Sequence, residues 1–217
     1  MTNFPSSEVY WGTIPSSPLT QSFPFNFSDF EPDSDPHFPD SIALLKAQGV
    51  DFAKNKEKGI NSCKFASLLV SYRLVLNWSR VTWLCFHGSY DSAYLIKILR
   101  GGDPLPETLC EFITVVAHLF GIRFYDVKQI LKFCPGMHGG LERVAQSLQI
   151  NRLAGKSHQA GSDSLLTLHI FRMMTQRFLP RFIFASALKT AVGSEAAQAR
   201  QFLLYCFGCK SFNGADT

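Results

Sequence analysis

Val81-Thr82-Trp83-Leu84-Cys85-Phe86-His87-Gly88-Ser89-Tyr90-Asp91 decides the fold class. Its first seven residues are an apolar run that reads as a strand buried on both faces. Gly88 to Asp91 turns out of that strand, and Ser92 to Leu99 reads as a helix stopped by Gly101-Gly102. Leu109 to Phe120 is helical, and Ile122 to Val127 is a second short buried strand. Lys128 to Phe133 and Leu141 to Leu148 are helices separated by Pro135 and Gly139-Gly140. Asp163 lies at or just inside the start of a helix running to about Phe178. Strands alternating with helices define an α/β layer fold.

Upstream the pattern changes. Prolines at positions 5, 15, 18, 24, 32, 36 and 39 forbid a long helix in residues 1–40. Phe23, Phe25 and Phe27 alternate with smaller or polar residues, which predicts a strand with one buried face. Asp40-Ser41 opens a helix over Ile42 to Gln48, ended by Gly49. A further helix spans Asn61 to about Leu74, with Phe65, Leu68, Leu69 and Tyr72 on one face. The expected organisation is an irregular Pro/Ser-rich start over 1–22, a single incomplete domain over 23–210 and a frayed tail over 211–217.

A chain of 217 residues that is 46% hydrophobic can bury a substantial core, which excludes a disordered protein. The net charge of +4 is compatible with a polyanionic partner. No Lys or Arg precedes Lys46, while Glu8, Asp29, Glu31, Asp33, Asp35 and Asp40 do, which argues against a secretory or mitochondrial targeting peptide. The apolar stretch Phe178 to Val192 is broken by Pro180, Arg181 and Lys189, so no membrane span is expected. Of the six cysteines, Cys63, Cys85, Cys110 and Cys134 read as small core residues. Cys206 and Cys209 form one C-x-x-C, and the lack of a second ligand pair argues against structural zinc.

Two places could carry chemistry. Asp91 sits just beyond the carboxyl end of a buried strand, where open α/β sheets place ligands; it could equally cap the next helix. In His158-Gln159-Ala160-Gly161-Ser162-Asp163-Ser164, a small flexible link can place His158 and Asp163 in one cavity. The carboxylate is a hard oxygen ligand for Mg2+ or Mn2+, and the imidazole can take a proton from a metal-bound water. The plain alternative is a loop histidine beside a helix-capping aspartate.

Together with these segments, Phe25-Asn26-Phe27-Ser28-Asp29-Phe30, Asp40-Ser41-Ile42-Ala43-Leu44-Leu45, Leu105-Pro106-Glu107-Thr108, Tyr125-Asp126-Val127-Lys128 and His138-Gly139-Gly140-Leu141 stand in a familiar order. That order resembles the Pop2-type poly(A) deadenylases of the Ccr–Not complex, over about residues 25 to 178, and looks most like plant members. The resemblance implies a ribonuclease-H-like fold with a mixed sheet flanked by helices. It implies that Asp91 and Asp163 match the second and third acidic motifs of a DEDD exonuclease and hold metal. His158 matches the histidine that activates water, and Asp126 reads as structural. The implied activity removes AMP stepwise from the 3′ end of the mRNA poly(A) tail with two divalent metals, Mg2+ or Mn2+. The implied partners are the Not scaffold subunit and the partner deadenylase, in nucleus and cytoplasm.

The beginning departs from the family. Its opening strand carries Asp-Thr-Glu-Phe-Pro-Gly, and only Met1-Thr2-Asn3-Phe4-Pro5-Ser6 corresponds, with Met1 and Asn3 in place of both carboxylates. The family's next strand is missing too, so a truncated copy is expected. Two cations cannot be held close together without that negative charge, which predicts very weak or absent hydrolysis unless Glu8 or Asp29 substitutes. Loss of the central strands predicts an exposed edge on the Phe25 to Phe30 strand. Leu203 to Gly208 reads as a remnant of the family's terminal segment. The alternative function is a catalytically inactive binding module that docks on the Ccr–Not scaffold.

Overall fold

The computed structural model describes residues 22, 24–76, 81–121 and 123–178. The expectations for Met1 to Ser6, for Cys206 and Cys209 and for Leu203 to Gly208 fall outside these residues. In chain order the elements are α1 (Pro39–Ala47), α2 (Phe52–Lys58), α3 (Ser62–Ser71), β1 (Trp83–Cys85), α4 (Ser89–Leu99), α5 (Leu109–Phe120) and β2 (Phe124–Asp126). Then follow α6 (Val127–Ile130), a 3-10 turn (Leu131–Phe133), α7 (Leu141–Ser147) and α8 (Ala160–Arg177).

β1 and β2 pair in parallel, with Trp83 opposite Phe124, Leu84 opposite Tyr125 and Cys85 opposite Asp126. Helices α4 and α5 form the crossover that a parallel pair requires. Alternation along the strands then divides the core. Trp83 and Phe124 join Phe65, Leu69, Ile96, Ile113, Val116 and Phe120, contributed by α3, α4 and α5. Leu84 and Tyr125 point the other way, against Val127, Val144, Leu166, Ile170 and Met174 of α6, α7 and α8. Both faces of the pair are covered by helices, as the apolar run of β1 requires.

The Phe25 to Phe30 segment is less regular than its alternation predicts. It makes one isolated parallel bridge, Phe27 to Ile60, with Ser28 N–H donating to Ile60 O (3.1 Å) and Ile60 N–H to Asn26 O (2.8 Å). Phe25 and Phe27 are still half-buried, their rings 5.2 and 5.1 Å from Phe65. Pairing stops because Asp29 turns to α3, accepting Ser62 N–H at 2.8 Å and the Asn61 side chain at 3.2 Å. That carboxylate anchors the start of α3; Glu8 lies outside the described residues.

Helix boundaries also differ. α1 begins at Pro39, before the expected Asp40-Ser41 cap, because proline's fixed φ suits the first helical position. α3 ends at Ser71, so Tyr72 (73% exposed) leaves the face shared by Phe65 and Leu69, and Leu68 is exposed as well. α2 was not legible: it buries no residue, and its start rests on Asp51 accepting Lys54 N–H at 2.9 Å. Among the described residues, no helix is long and apolar enough to cross a membrane.

Candidate functional site

The turn after β1 is set by packing and by one buried carboxylate. A Cβ on Gly88 would lie 2.4 Å from Cys85 Cβ, so only glycine fits there. His87 takes a left-handed φ of 60°, a conformation that needs outside support. Asp126, 1% exposed at the end of β2, supplies it. Its carboxylate accepts His87 N–H (2.8 Å), Gly88 N–H (3.2 Å) and Lys128 N–H (2.9 Å). Ser92 Oγ donates to Gly88 O at 2.6 Å and ties the turn to α4.

Asp91 stands in the first turn of α4, which starts at Ser89 rather than at the expected Ser92, so it is inside the helix and makes no side-chain cap bond. Asp91 is exposed as a residue, yet surrounding chain atoms strip part of the hydration from its carboxyl. Lost hydration pushes that carboxyl above the usual range, the negative charge of Asp126 adds to the shift, and His87 opposes it. Desolvation likewise pushes Asp126 up, against the N–H groups it accepts.

His158 and Asp163 occupy the second half of the site. Asp163 lies in the first turn of α8, and its Oδ2 accepts His158 N–H at 3.2 Å. His158 has φ 64°, so that contact and the Gln159 carbonyl bonded to Asp163 N–H (2.8 Å) hold a strained loop in place. The exposed His158 ring lines a cavity of about 850 Å3 together with Asn26, Lys54, Gly59, Gln159 and Gly161.

Sequence reasoning missed Arg152. Its Nη1 lies 2.7 Å from Asp163 Oδ1 and 2.5 Å from Ser162 Oγ, and its Nη2 pairs with Glu142 of α7. The Asp163 contact is an ion pair whose angle falls outside a good hydrogen bond: Oδ1 is buried without an aligned donor. Burial opposes the charge of Arg152, but Glu142 and Asp163 outweigh it and raise its pKa. Nothing in the spacing of an isolated arginine on a loop announces such a contact.

The structure therefore joins the His158 backbone to the Asp163 carboxylate, though Asp163 does not line the cavity that the His158 side chain borders; Asp91 and Asp126 share no hydrogen bond and feel one another only through charge. Among the described residues, no group of three or more His, Cys, Asp or Glu side chains is arranged to hold a metal ion. A two-metal phosphodiesterase centre needs about four carboxylates. The residues described do not fit such a centre by themselves.

This α/β arrangement is ribonuclease-H-like, the fold of a class of nuclease domains. The chain is a homologue of the Pop2 and CCR4-associated factor 1 proteins. It is 47% identical over 154 residues to CCR4-associated factor 1 homolog 7 of Arabidopsis thaliana, covering 71% of this chain and 54% of the relative. It is 39% identical over 182 residues to the poly(A) ribonuclease pop2 of Schizosaccharomyces pombe, covering 84% of this chain and 52% of the relative. Among solved structures, S. pombe Pop2p in its Mg2+- and Mn2+-bound form matches with a TM-score of 0.67 and 41% identity, over 77% of this chain and 64% of that one. A structure of the yeast NOT1 MIF4G domain co-crystallised with CAF1 matches with a TM-score of 0.58 and 28% identity, over 76% of this chain and 62% of that one. No family model matches the chain. The chain spans about half the length of the curated relatives it matches.

Proposed function

We propose that this chain is part of a Pop2-type poly(A)-specific 3′–5′ exoribonuclease that works in the Ccr–Not complex, shortening mRNA poly(A) tails and releasing AMP. One observation carries the reading: the His158 backbone N–H donates to the Asp163 carboxylate across a single short loop at the start of α8, inside a fold shared with a metal-bound Pop2 nuclease. Asp91, in the first turn of α4 just beyond β1, is the other carboxylate assigned to the reaction. The poly(A) ribonuclease name of the fission-yeast relative supports the substrate, and the NOT1–CAF1 co-crystal supports the scaffold partner. Mg2+ or Mn2+ is the cofactor to expect.

A second reading is favoured by the donor set. With no group of three ligands among the described residues, and Arg152 against Asp163, the chain acts in this reading as an inactive module that binds the Not scaffold and the partner deadenylase. AMP release from 3′-labelled oligo(A) with Mg2+ or Mn2+, beside an Asp163→Ala control, separates the two. Release that is lost in the control supports the nuclease. Folded protein that releases no AMP yet is retained by the scaffold's MIF4G domain supports the module. Folded protein that does neither removes both readings.

A further inference from the structure

The misfit between the donor set and a divalent metal has a specific source in α8 and its approach loop. Asp163 is the carboxylate assigned to metal, and one of its two oxygens, Oδ2, is committed to His158 N–H at 3.2 Å. The other, Oδ1, faces Arg152 Nη1 at 2.7 Å but lacks an aligned hydrogen bond. A buried acceptor with a spare lone pair beside a guanidinium is held mainly by charge. Such a contact yields to a stronger cation more readily than a bidentate pair does.

Arg152 also has somewhere to go. Its Nη2 already pairs with Glu142, whose side chain is 47% exposed, while the Arg152 side chain is only 14% exposed. The guanidinium thus spans two carboxylates, one on α7 and one on α8. It stays charged throughout, because arginine does not deprotonate in proteins. A divalent ion placed on Asp163 Oδ1 would meet this fixed positive charge at contact distance.

The geometry points to Arg152 as a built-in counter-cation of the site: it competes with divalent metal for Asp163, and Glu142 is the anchor that draws it away. The proposal rests on the nuclease reading only for its choice of metal; the competition itself needs no activity. Arg152 is a positioning residue, since it acts through Asp163 and touches no reacting atom.

Mn2+ is the probe, because its unpaired electrons broaden NMR signals of nearby nuclei. The full 217-residue chain is titrated with Mn2+ while the His158 and Asp163 amide signals are followed. Arg152→Met should bind Mn2+ tighter by roughly ten-fold or more, the scale on which a neighbouring guanidinium changes a carboxylate's affinity for a proton. Glu142→Gln should weaken Mn2+ binding, because the guanidinium then keeps Asp163 as its charged partner, beside the neutral Ser162 Oγ and Lys156 carbonyl. Asp163→Asn should remove broadening in every background. Broadening that is equal in wild type and folded Arg152→Met, or absent from both, overturns the proposal. If Arg152→Met does not fold, Glu142→Gln decides: weaker binding supports the competition, and unchanged or tighter binding overturns it. A failed nuclease reading shows instead as absent AMP release, whatever Mn2+ does here.

Discussion

Asp91 and Asp126 are carboxyls that the fold makes reluctant to ionise, and that reluctance has a sign. Both are raised above the ordinary aspartate value of about 3.9, first by desolvation. The folded protein therefore holds their protons at a pH where the unfolded chain has released them. Their contribution to stability is present below the unfolded value and is lost as pH rises through the folded values. Asp91→Asn removes one of the two charges. It should stabilise the chain at pH 7 by a few tenths to about 1 kcal/mol, a figure kept small by the residue's exposure and by the helix N-terminus that favours a carboxylate. Urea unfolding at several pH values checks this: the gain should shrink towards pH 4, and a gain that grows on acidification refutes the assignment. Asp126→Asn has the opposite effect at neutral pH. It trades an acceptor of three N–H groups for an amide with one acceptor oxygen, and should cost about 1–3 kcal/mol. Gly88→Ala should cost a similar amount, about 1–3 kcal/mol, because the nearest atom is the rigid Cys85 Cβ.

Elements differ in how much of their stability is local. The start of α5 is a reciprocal capping box: Glu111 N–H donates to Thr108 Oγ1 and Thr108 N–H to the Glu111 side chain. Thr108→Ala should lower stability by about 0.5–2 kcal/mol in urea unfolding, and an unchanged midpoint would show the box to be idle. The Phe25 to Phe30 segment has almost no local support. Its bridge to Ile60, the ring contacts of Phe25 and Phe27 to Phe65 and of Phe30 to Phe52, and the bonds from Asn61 and Ser62 to Asp29 all come from outside the segment. Phe65→Ala should cost about 3–5 kcal/mol and should expose the bond after Phe25 to chymotrypsin before the rest of the chain unfolds. The same contrast explains what sequence could reveal. α5 was legible to the residue because its cap, its apolar face and its stop at Gly121 all agree. From Phe25 to Phe27 the alternation reports a buried face but not a ladder partner, and the segment makes a single bridge there; Phe23 lies outside the described residues. α2 left no periodic trace because it buries nothing. Asp91, His158 and Asp163 could be picked out from their motifs. Arg152 and Glu142 could not, since their meeting depends on how α7 lies against α8.

For the whole molecule, the charge balance bears on the proposed substrate. A net charge of +4 favours a polyanion, and backbone contacts to single strands release counterions. Binding of oligo(A), followed by fluorescence anisotropy, should weaken as salt rises, with log K falling by roughly 0.7 per log unit of salt for each phosphate contacted. Affinity indifferent to salt would mean that the phosphates are not what the protein holds. The misfit of the donor set and the partial span of the relatives lead to one experimental order: scaffold retention first, then AMP release.

The partition between the two hydrophobic clusters is a parallel pair only three residues long on each strand. So thin a wall transmits little cooperativity. Amide exchange should sort into two populations, one for α3, α4 and α5 and one for α6, α7 and α8, each opening at its own free energy. Asp91 and Asp126 sit at that seam, and the His158–Asp163 loop belongs to the second population alone. A ligand that touches both halves would fuse the two exchange classes into one, so it would register as a change in the protein's cooperativity before any bond is cut.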